Sequence, residues 1–117
     1  MTQKISTIII TEQTGTLEVL KLYLEEFGSF NFLASTTDYS KAYNAIKELD
    51  KSLVIVDISE YPDPGLNFIS KVSHEFPGCR IIALSDRPAV DLVVKVMRAG
   101  AKEFLSLPLI KNELFEV

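Results

Sequence analysis

Apolar residues along this 117-residue chain fall into short β-rich runs separated by stretches of helical period. The runs cover residues 5–11, 30–34, 53–58 and 80–85, with a fifth, weaker one at 103–106. The third and fourth are almost continuously apolar (LVIVDI and RIIALS), as strands buried on both faces of a parallel sheet are. The intervening stretches repeat every three to four residues, which predicts helices. The first, 16–27, carries Leu17, Leu20, Leu24 and Phe27 and meets a stop at Gly28. The second, 39–49, aligns Tyr39, Ala42, Tyr43, Ile46 and Leu49, with Thr37 or Asp38 as its cap. The third, 65–76, lies between Pro62-Asp63-Pro64-Gly65 and Pro77-Gly78, and the fourth starts at Pro88, a favoured first helical residue, and ends at Gly100. Strands alternating with helices of this length predict βαβ units, hence a three-layer α/β domain with its parallel sheet covered on both faces. Ligands in such sheets collect outside the carboxyl ends of the strands, where strand order reverses. Asp57 and Ser85 both fall at carboxyl ends.

Composition narrows the function classes. The length suits one domain with a core large enough to need no disulfide. A net charge of -4 excludes a broad nucleic-acid surface, which would need clustered Lys and Arg. The single Cys79 and the single His74 offer no disulfide and no metal-ligand spacing, and read as a bystander thiol and a helix-surface residue. No apolar run of about 18 residues is present, so no membrane span is expected and the cytoplasm is the expected compartment. The turn Thr11-Glu12-Gln13-Thr14-Gly15-Thr16 lacks the glycine spacing of a nucleotide-binding loop, which disfavours a small flavin or nucleotide enzyme on this topology. At the far end, a helical pattern begins at Ile110 and stops after about two turns, short of an ordinary helix of three. That pattern predicts a truncated fifth helix and a domain, residues 1–117, forming the N-terminal part of a longer protein.

Several segments in order resemble the receiver domain of response regulators. Ile10-Thr11-Glu12-Gln13 resembles the receiver's first strand and acidic pair, SLVIVDISEYPDPGLNFI its phosphoacceptor strand and loop, IIALSD its fourth strand, and RAGAKEFLSLP the approach to its fifth. The resemblance implies a CheY-like, flavodoxin-like (βα)5 fold with sheet order 2-1-3-4-5. It places Asp57 at the phosphoacceptor position, Ser85 at the phosphoryl-orienting Ser/Thr, and Glu12, Asp57 and the Ser59 backbone carbonyl at the Mg²⁺ ligands. It also implies a cis peptide between Leu107 and Pro108.

Against that pattern the chain departs at three positions. The acidic pair reads Thr11-Glu12, so one acid is missing; Phe104 stands at the aromatic switch position without a hydroxyl; and Leu107 occupies the position of the receiver's lysine. A missing preorganised cation removes a few kcal/mol of transition-state stabilisation. Asp57 is therefore either a phosphoacceptor or a strand-end aspartate hydrogen-bonded to its own loop, and the second reading is favoured. Glu12 reads equally as a metal ligand or a solvated loop residue, and the role of Ser85 follows that of Asp57.

On a helical wheel the fourth helix is apolar over roughly 200°, from Ala89 and Val90 through Leu92, Val93 and Val94 to Val96 and Met97. The excess surface either is covered by the fifth helix or forms a protein-binding face comprising Val90, Val94, Met97 and Arg98. The run Arg98 to Leu105 followed by Leu107-Pro108-Leu109 resembles the atypical receiver domains that precede a ParA/MinD-like ATPase in CpaE/TadZ-type pilus-assembly proteins. That resemblance implies a non-catalytic interaction domain that localises or regulates pilus assembly, acting by docking to a protein partner or C-terminal effector module, or by dimerising through the fourth helix. The alternative it leaves is a working two-component receiver, phosphorylated on Asp57 by a histidine kinase with Mg²⁺.

Overall fold

Why the chain folds as it does is clearest from its third strand. In the computed structural model, which describes residues 4–108, β3 (Ser52–Asp57) pairs on one side with β1 (Ile5–Ile10) and on the other with β4 (Cys79–Ser85). Side chains alternate across a strand, so Leu53 and Ile55 join one core cluster and Val54 and Val56 the other. β2 (Phe30–Thr36) and β5 (Glu103–Ser106) complete an all-parallel sheet of order 2-1-3-4-5.

Four helices cover the faces among the described residues. α1 (Thr14–Phe27) lies on one face, burying Leu20 and Leu24 against Ile9, Ile55, Ile82 and Leu84. α2 (Tyr39–Lys47), α3 (Pro62–Glu75) and α4 (Val90–Ala99) lie on the other, contributing Ile46, Ile69, Val72 and Val96 to a cluster with Ile8, Val54 and Ile81. The expected three-layer flavodoxin-like receiver fold is present. The Leu107–Pro108 peptide is cis.

The expected boundaries shift at several ends, each for a local reason. α3 begins at Pro62 rather than Gly65, because proline at the first helical positions gives up an amide that would have had no partner there. α4 begins at Val90 rather than Pro88. The amides of Asp86 and Arg87 are held by serine hydroxyls, and Ala89 remains extended at the N-cap. α2 stops two residues early, tightening through Glu48 N–H to the Ala45 carbonyl and Leu49 N–H to the Ile46 carbonyl. Of its two candidate caps, Asp38 is the one used, accepting from the amides of Ser40 and Lys41. β2 runs on to Thr36 because an extra residue, Leu33, is bulged out so that Ala34 to Thr36 pair with Ile8 to Ile10. The expected fifth helix, from Ile110, lies outside the described residues.

Two glycines carry positive φ, Gly28 at 79° and Gly100 at 118°, each ending a helix. A Cβ on Gly28 would meet nothing, whereas one on Gly100 would collide with the Ser73 side chain of α3. Gly28→Ala should therefore cost only the backbone penalty of about 1–2 kcal/mol, and Gly100→Ala should cost more, compared by urea midpoints. On α4, Val96 is fully buried and Val90 is 79% exposed. Val96→Ala should lose about 1–3 kcal/mol, while Val90→Ala should stay within about 0.5 kcal/mol in the same titration.

Candidate functional site

Parallel pairing brings the carboxyl ends of β1, β3 and β4 to one edge of the sheet. Chain order reverses around β1, whose neighbours are β2 and β3, and the loops there part to leave a cleft. Its volume is about 40 Å³, and its walls are Thr11 to Gln13 after β1, Thr37 and Tyr39 around the start of α2, and Asp57, Glu60 and Tyr61 after β3. A second, shallower cavity of about 290 Å³ adjoins it, lined by Gln13, Ser59, Glu60, Tyr61, Asp86 and Arg87.

Asp57 lines the first of these, and both of its carboxylate oxygens are engaged by its own chain. Oδ2 accepts the Thr11 hydroxyl at 2.9 Å. Oδ1 accepts the Ser59 amide at 3.0 Å and the Ser59 hydroxyl at 2.6 Å. Thr11, standing where an acid was expected, donates to the carboxylate where a second carboxylate would repel it, and its hydroxyl also accepts the Gln13 amide at 3.1 Å. The Ser85 hydroxyl, buried at 1% exposure, accepts the Arg87 amide at 3.0 Å.

Glu12 is exposed, and its neighbour in the mouth is Glu60. A hydrogen bond to the Glu60 carboxyl, partial desolvation and the charges of Glu60 and Asp57 together raise its pKa above the ordinary carboxylate value. Tyr39 forms the wall opposite, its ring against Phe68 with centroids 4.9 Å apart. Burial, then the charges of Asp57 and Glu12, raise its pKa too. Glu60, Tyr39 and Tyr61 were missed as site residues. Glu60 had a legible signal, an acid three positions beyond Asp57, whereas Tyr39 was absorbed into the apolar stripe of α2.

The remaining expected positions separate. Leu107 packs against the apolar cluster on the α1 side of the sheet, beside Leu84 and Leu105. Phe104 packs on the opposite face with α4. Lys102 is exposed, its backbone amide bonded to the Ile81 carbonyl. Val94 and Met97 on α4 are 40% and 43% exposed, and Arg98 is exposed beside them. His74 is exposed on α3; burial raises the Cys79 thiol pKa, with a smaller opposing effect from Ser52. Among the described residues, no three His, Cys, Asp or Glu side chains converge to form a metal-binding group, and no helix is long and apolar enough to cross a membrane.

Known proteins share this architecture. The C4-dicarboxylate response regulator DctR of Halalkalibacterium halodurans is 22% identical over 104 residues, 89% of this chain and 45% of that protein. The chain spans less than half the length of the curated relatives it matches. A response regulator from Thermotoga maritima superposes with a TM-score of 0.84 at 26% identity, covering 97% of this chain and 92% of that one. The pilus assembly protein CpaE from Burkholderia thailandensis superposes at 0.81 with 21% identity, covering 96% and 93%, a likeness of fold. Strand order, the aspartate closing β3 and the serine closing β4 agree with a match of residues 7–117 to the response regulator receiver domain, and the chain belongs to that family.

Proposed function

We propose that this domain is a non-catalytic, receiver-like docking and regulatory module that acts without phosphorylation of Asp57. The observation that carries the reading is the state of the Asp57 carboxylate, both oxygens of which are bonded to Thr11 and Ser59. At Oδ1 a phosphodonor would have to displace the two Ser59 donors, and at Oδ2 it would compete with the Thr11 hydroxyl, which uses one of two lone pairs. At the position where the receiver pattern has its lysine it would find Leu107, which is committed to the apolar cluster. What the domain offers a partner is the outer face of α4, with Val90, Val94 and Met97 exposed beside Arg98. Its occupant on this reading is a protein partner, a C-terminal effector module of the ParA/MinD-like ATPase kind, or a second copy of the domain. We place the domain in the bacterial cytoplasm, and its role in localising or regulating pilus assembly is what the resemblance of residues 98–105 and 107–109 implies.

Receiver domains as a class take a divalent cation at the acceptor aspartate, and the mouth here favours a second reading in that one respect. Its donors are all oxygens, which suit Mg²⁺, an ion that retains several waters and needs only one or two carboxylates. Glu12, Asp57 and the Ser59 carbonyl would hold it. When bound, it would neutralise charge on the acceptor carboxylate and on an incoming phosphoryl group. The pKa of Glu12 is raised first by its hydrogen bond to Glu60 and then by desolvation, with smaller effects from the charges of Glu60 and Asp57.

One measurement separates these readings, and a second tests the electrostatics of the mouth. After incubation with Mg²⁺ and acetyl phosphate, intact-mass spectrometry should show no phosphoryl adduct under conditions that label a known receiver; an adduct absent from Asp57→Ala would overturn the docking proposal. Glu60→Gln should move the Glu12 pKa down toward its ordinary value, followed by the carboxyl carbon shift in a pH titration. The sign follows from the raised pKa. The folded state holds this proton more tightly than the unfolded chain, so the contribution favours folding at low pH and fades as pH rises through the Glu12 pKa. An unmoved Glu12 would mean that Glu60 is not its partner in solution.

A further inference from the structure

A groove of about 550 Å³ opens on the outer side of the domain, and its lining comes from α2 and α3 alone. Tyr39 and Tyr43 are half-buried there and Phe68 is buried. The Tyr39 and Phe68 rings lie with centroids 4.9 Å apart, and Tyr43 leans on Phe76 at 5.3 Å. Two carboxamides stand exposed along the groove, Asn44 from α2 and Asn67 from α3. Asparagine is a poor choice inside a helix, because its side chain competes for the backbone in other conformations. Among the described residues neither carboxamide is tied to a partner of its own chain, so both keep their donors for something else.

The groove is electrically polarised along its length. Lys71 is the one ionised side chain in its lining, with Nζ 4.4 Å from the centre of the Tyr43 ring. Glu75, one turn beyond Lys71, is engaged by the Tyr43 hydroxyl and does not line the groove. The opposite end is negative, since Tyr39 also walls the cleft of Asp57 and Glu12, whose charges reach its hydroxyl. An anionic group is therefore repelled at Tyr39 and accepted at Lys71. In a domain of net charge -4, this places a cation beside aromatic rings where an acidic partner can reach it.

We propose that the groove between α2 and α3 binds a short proline-containing segment of a partner protein, with an acidic residue where that segment passes Lys71. The backbone form of the occupant follows from the donors. A helix has no free carbonyls along its length to offer Asn44 and Asn67, and an added strand needs a sheet edge, which two helices do not supply. A polyproline II segment has no internal hydrogen bonds, so its carbonyls are free for the carboxamides while its rings pack on aromatic side chains. Length sets the size of the motif. From Pro64 to Lys71 the α3 wall rises about 10 Å, which about three residues of polyproline II span at about 3.1 Å each. The site uses neither the Asp57 carboxylate nor the outer face of α4, and so stands apart from the function proposed above.

The test is NMR titration of the intact chain with three capped pentapeptides: four prolines then glutamate, four prolines then lysine, and Gly-Ser-Gly-Ser-Glu. The first should shift the side-chain amides of Asn44 and Asn67 and saturate with a dissociation constant on the order of 1 mM. The lysine peptide and the flexible glutamate peptide should each bind at least about fivefold more weakly, the one for its charge and the other for the entropy of ordering it. Lys71→Glu, at an exposed position, should reverse the preference so that the lysine peptide binds better. Asn67→Ala should weaken the glutamate peptide about fivefold, the loss of one hydrogen bond. Its urea midpoint should stay level or rise, since alanine is the better helix former, an outcome that a purely structural asparagine would not give. No saturation by about 10 mM, equal binding of the glutamate and lysine peptides, or an unreversed preference in Lys71→Glu would each overturn the proposal. Adenosine monophosphate, added separately, should leave both carboxamides unmoved; shifts there with the glutamate peptide silent would make this a nucleotide site and overturn the peptide reading.

Discussion

A strand paired on both edges and buried on both faces can end in a charged residue only if something at its end supplies hydrogen bonds, and β3 imposes that condition on the rest of the molecule. Val54, Ile55 and Val56 are fully removed from solvent, so the first polar side chain after them emerges at the edge of the sheet in a half-buried position. An ionised carboxylate there needs donors. The chain provides them from β1 through Thr11 and from the following loop through Ser59. The loops around the cleft are thereby arranged about Asp57, and the cleft is a product of that arrangement together with the parallel topology.

On the proposed reading, the residues that depart from the receiver pattern fit one another. A threonine in place of an acid gives Asp57 a donor where it would have met repulsion. A leucine in place of a cation extends the apolar cluster beneath β4 and β5 and leaves no buried charge to be compensated. The two changes act in the same direction, since a site with one negative charge fewer has less use for a positive one. The acidity that remains is displaced outward to Glu12 and Glu60, where solvent reaches it.

The fold was legible in the sequence because strand and helix periods are properties of consecutive residues. LVIVDI and RIIALS announce central strands, and the order of βαβ units leaves few arrangements of the sheet. Helix ends were less legible. Pro62 and Pro88 present the same first-turn signal, yet only Pro62 starts a helix, because the segment around Pro88 is held by hydroxyls from Ser59 and Ser85, partners that no local pattern reveals. The same limit applies to the site. Asp57, Ser85 and Glu12 are visible as residues at strand ends, but the hydrogen bonding of Asp57 and the pairing of Glu12 with Glu60 depend on which loops meet.

The bulged residue in β2 has a consequence for how copies of the domain can meet. β2 is a terminal strand of the sheet, and a terminal strand with an unbroken row of amides and carbonyls invites another strand to add to it. Leu33 interrupts that row midway and adds local twist. A second molecule approaching this side therefore finds no straight template to extend. Sheet growth through this edge is discouraged by the backbone itself.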